Sequence, residues 1–262
     1  ELAIIQAGSG PTNKDGNTIG SGKNDSLKML AEDLATQGIA SVRFDKRGIG
    51  ENTALIKKEQ DLRFNQYVND VVAILDYMKQ DERFTSIHLI GHSEGALIMT
   101  LAAQDSDIGS LTLLAGAGRP ADELLMEQLT ASLPSTLLAE SKTALEKLKA
   151  GKMVSNVSAE LQSLFRTSVQ PYMMSWLQYD PQKELANVSA PILIVQGKKD
   201  IQITQADATA LKNGNEQATV RYFDQMNHVL KDIKGDRSEN IASYTNPDYP
   251  LAKGLIEEIV SF

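Results

Sequence analysis

One serine of this chain lies where its sequence context favours a nucleophile. Ser93 is the centre of a Gly-His-Ser-Glu-Gly stretch, residues 91–95, between the apolar run 86–90 and the small, apolar run 96–103. A serine at a sharp strand-to-helix turn is held in a strained backbone conformation with its hydroxyl exposed. Glycines two residues before and after it let the strand and the helix approach closely. The pattern predicts a nucleophile elbow for acyl transfer.

Three histidines are available as the base that such a serine needs. A serine hydroxyl becomes a good nucleophile when a neighbouring base takes its proton and a carboxylate orients that base. His88 lies within a predicted strand and His92 within the turn itself, so we interpret both as packed structural residues. His228 follows the last predicted strand and is expected to act as the general base.

The best candidate for the orienting carboxylate is Asp200. It comes just past the apolar run 191–196, in a loop expected at the same sheet edge as the elbow. Asp224 and Asp207 are weaker alternatives, because the first is too near His228 in sequence and the second is expected on a helix.

A tetrahedral oxyanion needs two backbone N–H donors aimed at it. One is expected from Glu94, directly after the nucleophile. The other is expected from the glycine-rich loop after the first strand, where Gly8 lets the backbone turn inward and Ser9 presents its amide. The choice between Ser9 and Gly8 stays open by one position, and Gly8 is also a candidate for substrate contact.

Hydrophobic patterns alternate between strands and helices along most of the chain. Short apolar or β-branched runs predict strands, and periodicities near 3.6 residues predict helices between them. Strands separated by helices imply a doubly wound, mostly parallel sheet with both faces covered. The predicted strands are 2–5, 40–44, 86–90, 111–115, 191–196 and 219–223, and the predicted helices are 26–37, 64–79, 94–103, 205–212 and 251–260.

Residues 119–180 interrupt this alternation with helical patterns only, at 122–133, 137–149 and 159–178. We interpret them as a helical lid inserted into a core formed by residues 1–118 and 181–262. Met126, Met173 and Trp176 are expected to line an adaptable acyl pocket beneath the lid. Because the elbow, Asp200 and His228 all come from the sheet core, the lid is expected to be removable without loss of the catalytic residues.

Composition narrows the possible functions. The chain has 262 residues and a net charge of −8, which argues against a nucleic-acid-binding surface. No apolar run approaches the roughly 20 residues of a membrane span. The absence of cysteine and the small number of histidines disfavour a metal site, and we expect catalysis without a metal or cofactor.

The chain order Ser93, Asp200, His228 resembles that of the α/β-hydrolase superfamily. Within it, the stretches 7–17, 45–50 and 227–231 resemble a group of bacterial serine esterases filed beside the serine aminopeptidase branch. The resemblance implies hydrolysis of a small-molecule ester. It also implies that two strands that usually open the fold are missing, so a segment is expected to precede Glu1.

Several alternatives stay open from the sequence. An exopeptidase would need a carboxylate for the substrate's amine, for which Glu94, Glu123 or Glu127 are candidates. A non-catalytic small-molecule binder on the same fold is a second alternative. Asp45 and Arg47 are interpreted as a pair that braces the neighbouring loop. The oligomeric state and the compartment are both unknown from the sequence, and the alternatives for the compartment are cytoplasmic, or periplasmic or secreted if a signal peptide preceded Glu1.

Overall fold

The computed structural model describes all 262 residues and contains one six-stranded sheet. Every neighbouring pair of strands is parallel, and the strand order is β2-β1-β3-β4-β5-β6. The predicted doubly wound α/β class is therefore confirmed. The strands are β1 (Leu2–Gln6), β2 (Ala40–Arg43), β3 (Ile87–His92), β4 (Ser110–Leu114), β5 (Ile192–Gly197) and β6 (Thr219–Phe223).

Helices cover both faces of the sheet. This follows from the parallel strands, because the chain must cross back along one face of the sheet between successive strands, usually as a helix. They are α1 (Ser26–Thr36), α2 (Phe64–Met78), α3 (Glu94–Ala103), α4 (Ala121–Thr130), α5 (Ser135–Lys149), α6 (Gln162–Phe165), α7 (Gln170–Trp176), α8 (Pro181–Leu185), α9 (Gln205–Gly214), α10 (Arg237–Ser243) and α11 (Leu255–Ser261). Short 3₁₀ turns occupy 50–55, 59–61 and 159–161.

Strand β1 shows how the sequence divides the core between the two faces. All five of its residues are buried. Leu2 and Ile4 belong to the apolar cluster that also contains α2 and α3, whereas Ala3 and Ile5 belong to the cluster beneath α1 and α11. Because successive side chains of a strand point to opposite faces, a continuous apolar run identifies a strand covered on both sides.

The segment 119–180, here called the helical insertion, differs from its prediction in one respect. The single helix expected over 159–178 is wrong, because the chain forms a 3₁₀ turn, α6 and α7 instead. Arg166 has extended backbone angles after α6, and Pro171 lies in the first turn of α7. A proline lacks the amide needed inside a helix and is tolerated in a first turn, so it marks a new start.

The helical insertion contributes to the main core. Leu145, Phe165 and Met173 are almost fully buried in the larger apolar cluster, together with side chains of α2, α3 and the sheet. Phe64 of α2 stacks against Trp176 with 6.2 Å between ring centroids. The insertion is thus packed on the sheet layer through apolar and aromatic contacts. No helix of the chain combines the length and apolar character needed to cross a membrane.

Candidate active site

Ser93 lies at the turn between β3 and α3 with φ 55° and ψ −121°. A positive φ at a non-glycine residue is uncommon and persists only where the surroundings enforce it. Its N–H donates to the Leu114 carbonyl of β4 at 2.9 Å. Gly91 and Gly95 have no space for a side chain, since a Cβ at Gly91 would overlap the backbone of α3 and one at Gly95 the end of β1.

His228 and Asp200 form the second part of the site. His228 Nδ1 lies 2.9 Å from Asp200 Oδ2, and both side chains are buried. The other carboxylate oxygen accepts the N–H groups of Gln202 and Ile203 at 2.8 and 2.9 Å. With Nδ1 bound to Asp200, Nε2 is the ring nitrogen left to exchange a proton with a reacting group.

The ionisation of Asp200 reflects opposing effects. Burial alone would raise the pKa of its carboxyl group, but the neighbouring His228 and the two backbone N–H donors lower that pKa by more. The net shift is downward, so the carboxylate is ionised at neutral pH. An ionised Asp200 can stabilise the imidazolium that forms when His228 accepts a proton.

The loop that carries His228 is held by its neighbours. Asn227 donates to Asn240 Oδ1 at 2.9 Å and to Ser243 Oγ at 2.7 Å, and its own Oδ1 accepts the Lys231 N–H. The Lys199 N–H donates to the Met226 carbonyl at 3.0 Å, which joins this loop to the one carrying Asp200. Helix α10, which the sequence analysis missed, supplies two of these partners.

His92 is a structural neighbour of His228. Its Nε2–H donates to the His228 backbone carbonyl at 2.7 Å, and the two ring centroids lie 5.0 Å apart. Burial, together with the charge of a protonated His228, lowers the pKa of His92 to about 4. His92 is therefore neutral at neutral pH and holds the backbone of His228. His88 bonds Ser110 Oγ within the sheet.

The loop after β1 approaches the elbow directly. A Cβ at Gly8 would lie 3.0 Å from the Ser93 Cβ, so a side chain here would require the elbow to shift by a few tenths of an ångström. Ser9 follows it and lines the same cavity as Ser93 and His228. Glu94 is the first residue of α3, so its N–H has no partner within the helix, and the helix dipole favours negative charge at this end. The predicted donors Ser9 and Glu94 thus lie on two segments that converge on Ser93.

Lys46 was missed by the sequence analysis and lies at the centre of a buried polar cluster. Its Nζ donates to the carbonyls of Gly8 and Gly10 and lies 3.6 Å from Glu94 Oε2. The Tyr172 hydroxyl donates to the other oxygen of Glu94. Burial lowers the pKa of Lys46, and the carboxylate of Glu94 opposes that shift. The cluster joins the loop after β1, the start of α3 and the insertion.

Two cavities open on Ser93. The larger, about 210 Å³, is bounded by polar loops after β1, at 200–203 and around 244. The smaller, about 20 Å³, lies between the elbow and the helical insertion. Trp176 lines the smaller cavity, whereas Met126 and Met173 line neither cavity and Met173 is buried in the core.

The weaker candidates have other partners. Asp207 is buried, binds the Arg119 guanidinium at 2.9 Å and forms a capping box at the start of α9. Asp224 is exposed and pairs with Lys198. The proposed Asp45–Arg47 pair is wrong, because Asp45 accepts backbone N–H groups of residues 14 and 51 and Arg47 pairs with Asp70 of α2.

No group of three or more His, Asp or Glu side chains is arranged to hold a metal ion.

A parallel sheet that carries a strained serine between β3 and α3 defines an α/β-hydrolase. Residues 22–232 match the sequence profile of the family described as "Serine aminopeptidase, S33", and the chain belongs to that family of hydrolases.

The relatives include proteins described as esterases. Esterase EstD of Thermotoga maritima is 27% identical over 98% of this chain, and the chain spans 60% of that protein's length. Est1E of Butyrivibrio proteoclasticus, solved with ferulic acid bound, shares the fold with a TM-score of 0.60 at 16% identity, covering 99% of this chain and 88% of its own. A lipase-esterase related protein of Clostridium acetobutylicum has a TM-score of 0.59 at 17% identity, covering 100% and 93%.

Proposed function

We propose that this chain is a serine hydrolase that cleaves carboxylic esters through an acyl-enzyme. Ser93 Oγ attacks the carbonyl carbon while His228 Nε2 takes its proton, and Asp200 orients the imidazole. The observation that carries the proposal is the Asp200–His228 hydrogen bond beside a strained serine that lines the same cavity. The name of the 27% identical relative, an esterase, supports the same bond type.

The oxyanion of the tetrahedral intermediate is assigned to the N–H groups of Ser9 and Glu94. Collapse of the intermediate expels the alcohol, which takes the proton from His228. Water then attacks the acyl-enzyme, with His228 again as base, and releases the carboxylic acid and free Ser93. Removing one donor of an oxyanion hole, an asparagine side chain in a serine protease, raises the barrier by roughly 2.7–4 kcal/mol. The scheme needs no metal or cofactor.

The exopeptidase alternative draws support from the name of the family. Such an enzyme needs an unpaired carboxylate near Ser93 for the substrate's ammonium group. Glu94 lines the smaller cavity, but Lys46 and Tyr172 already engage its carboxylate. Glu127 pairs with Arg119, and Glu123 is exposed on α4. Glu94 is thus already paired, and neither Glu123 nor Glu127 lines either cavity, which favours esters over peptides with a free amino terminus.

A fluorophosphonate probe tests the proposal. We expect it to label Ser93 alone, and Ser93→Ala to abolish labelling and hydrolysis of p-nitrophenyl acetate while the far-UV spectrum is unchanged. Ser132→Ala, at an exposed serine of the insertion, is the matched control and should behave as wild type. An active Ser93→Ala variant would overturn the proposal. Aminoacyl p-nitroanilides cleaved faster than any ester would favour the exopeptidase, and binding without turnover would favour a non-catalytic protein.

A further inference from the structure

Two unequal cavities meet at Ser93, and their difference bears on the substrate. The following inference rests on the proposed ester hydrolysis. The larger cavity has about 210 Å³ of free volume and the smaller about 20 Å³. Ser93 lines both, so an ester carbonyl at this serine would extend its acyl part into one cavity and its alcohol part into the other.

The position of His228 decides which part enters which cavity. His228 lines the larger cavity and is absent from the walls of the smaller one. In the proposed reaction His228 returns its proton to the leaving alcohol oxygen, so the alcohol must lie on the side of the imidazole. The acyl group is left with the smaller cavity, next to Glu94 and the helical insertion.

The smaller cavity limits the length of the acyl group. A single water-sized group needs about 10–15 Å³ of such volume, so about 20 Å³ accepts little more than a methyl group. Its walls include Leu97, Leu124, Trp176 and Pro181. Arg119 also lines it, and the guanidinium of Arg119 is bound to carboxylates. Trp176 is held in place by its stacking on Phe64, with 8° between the ring planes.

The larger cavity is polar and carries no charged wall. Apart from the candidate catalytic residues and His92, the polar side chains of the lining residues carry hydroxyls or amides: Thr12, Thr18, Ser21, Asn24, Gln202, Tyr244 and Thr245. No Lys, Arg, Asp or Glu lines it. Hydroxyl and amide groups both donate and accept hydrogen bonds, so walls of this kind fit an uncharged ligand that carries hydroxyl groups.

We propose that the substrate is an acetyl ester of an uncharged, hydroxyl-rich alcohol such as a sugar. The acetyl methyl group occupies the smaller cavity, and the hydroxyls of the alcohol exchange hydrogen bonds with the walls of the larger one. Ser93 Oγ takes the acetyl group, the alcohol leaves with the proton from His228, and water releases acetate.

Two substrate series test the proposal with the wild-type enzyme. In the first, p-nitrophenyl esters from acetate to octanoate keep the leaving group constant, and kcat/KM should be highest for acetate and at least tenfold lower for hexanoate. In the second, the acyl group is always acetyl. Methyl 6-O-acetylglucoside should then be hydrolysed with at least tenfold higher kcat/KM than cyclohexylmethyl acetate, which has a ring of similar size without hydroxyls.

Variants assign each preference to its cavity. Leu124→Ala enlarges the smaller cavity and should raise the hexanoate-to-acetate ratio of kcat/KM at least fivefold, whereas Leu129→Ala on the same helix, outside the cavity, should leave the ratio unchanged. Ser21→Ala removes one exposed hydroxyl from the wall of the larger cavity and should lower the preference for the sugar ester at least threefold. Ser132→Ala, at an exposed serine outside both cavities, is its control.

The outcomes separate this inference from the function on which it rests. If Ser93-dependent hydrolysis of p-nitrophenyl acetate is absent, the proposed function fails and the inference fails with it. If that hydrolysis is present but kcat/KM rises toward octanoate, or the two acetyl esters react equally, only the inference is overturned. Should Leu124→Ala not fold, Trp176→Ala enlarges the same cavity from the other wall and is subject to the same expectation.

Discussion

At the scale of single residues, the site depends on which atoms of each side chain are already occupied. Asp200 uses one oxygen for His228 Nδ1 and the other for two backbone N–H groups. His92 uses Nε2–H for the His228 carbonyl. These hydrogen bonds fix the orientation of the His228 imidazole and use its Nδ1, so Nε2 is the nitrogen left for the reaction.

Replacing Asp200 by asparagine tests this assignment. The amide Oδ1 can still accept the N–H groups of Gln202 and Ile203, but its NH₂ faces His228 Nδ1 and favours the wrong tautomer. We expect kcat on p-nitrophenyl acetate to fall by roughly 10³- to 10⁴-fold with little change in stability. Asp224→Asn, at an exposed carboxylate after β6, should retain full kcat. Comparable kcat values in the two variants would contradict the assignment.

The lowered pKa of His92 predicts an acid-sensitive fold. In the unfolded chain histidine titrates near 6.5, whereas in the folded protein the pKa of His92 is about 4. Between these pH values the unfolded state binds more protons, so the free energy of unfolding decreases as the pH falls from 6.5 to 4. The contribution of His92 is on the order of 3 kcal/mol.

His92→Gln keeps a donor for the His228 carbonyl and removes the titrating group. Urea unfolding at pH 7 and pH 4 should therefore show a smaller acid-induced loss of stability in the variant than in wild type, by on the order of 3 kcal/mol. An identical loss in both proteins would show that other groups cause the acid sensitivity.

At the scale of elements, the site is assembled from the carboxyl ends of neighbouring strands. The loops after β1, β3 and β5, together with the segment after β6, contribute the candidate residues, because parallel strands end at one edge of the sheet. Lys46 joins two of these elements from a third, the loop after β2. The strand order determines which of these loops are neighbours, and buried polar contacts such as those of Lys46 hold the neighbouring loops together.

Lys46→Met should be strongly destabilising. It removes the cation that is paired with Glu94 and leaves a buried carboxylate without an ion-pair partner. We expect a loss of roughly 3–5 kcal/mol in the free energy of unfolding. The double variant with Glu94→Gln should recover part of that loss, and Lys142→Met, an exposed lysine of α5, should change stability by less than about 0.5 kcal/mol. A Lys46→Met variant as stable as wild type would contradict the role of the pair.

At the scale of the whole molecule, the helical insertion is packed as part of the fold. Its apolar side chains complete the cluster over α2 and α3, and Tyr172 reaches the elbow through Glu94. Removing residues 119–180 would expose this cluster. The structure thus argues against the expectation that the insertion can be deleted without loss of the catalytic residues.

Phe165→Ala tests the packing without a deletion. Phe165 is fully buried, so truncation should cost roughly 3–5 kcal/mol in a single cooperative transition. Phe262→Ala, at the partly exposed last residue, should lower the free energy of unfolding much less.

Deleting residues 119–180 is the second test, and the shortened protein should show no cooperative unfolding. A deleted protein that unfolds cooperatively and is still labelled at Ser93 would instead support a separable lid.

Much of the fold and of the candidate site follows from local sequence. The strands are apolar runs, the elbow is a glycine-flanked serine between a strand and a helix, and three candidate residues follow strand ends. These signals are local, because strand burial and turn geometry depend on a few consecutive residues. The superfamily was recognisable on that basis, and the matched family confirms it.

Tertiary structure alone decided the features that join distant segments. A lysine after a strand is usually a surface residue, and Lys46 is buried because carbonyls of the loop after β1 and the carboxylate of Glu94 surround it. Asp45 binds the N–H of residue 14 in another loop as well as that of residue 51, and Arg47 pairs with Asp70 of α2. The two cavity volumes depend on how Trp176 and the loop around Tyr244 pack against the elbow, and packing between remote segments is a property of the folded chain.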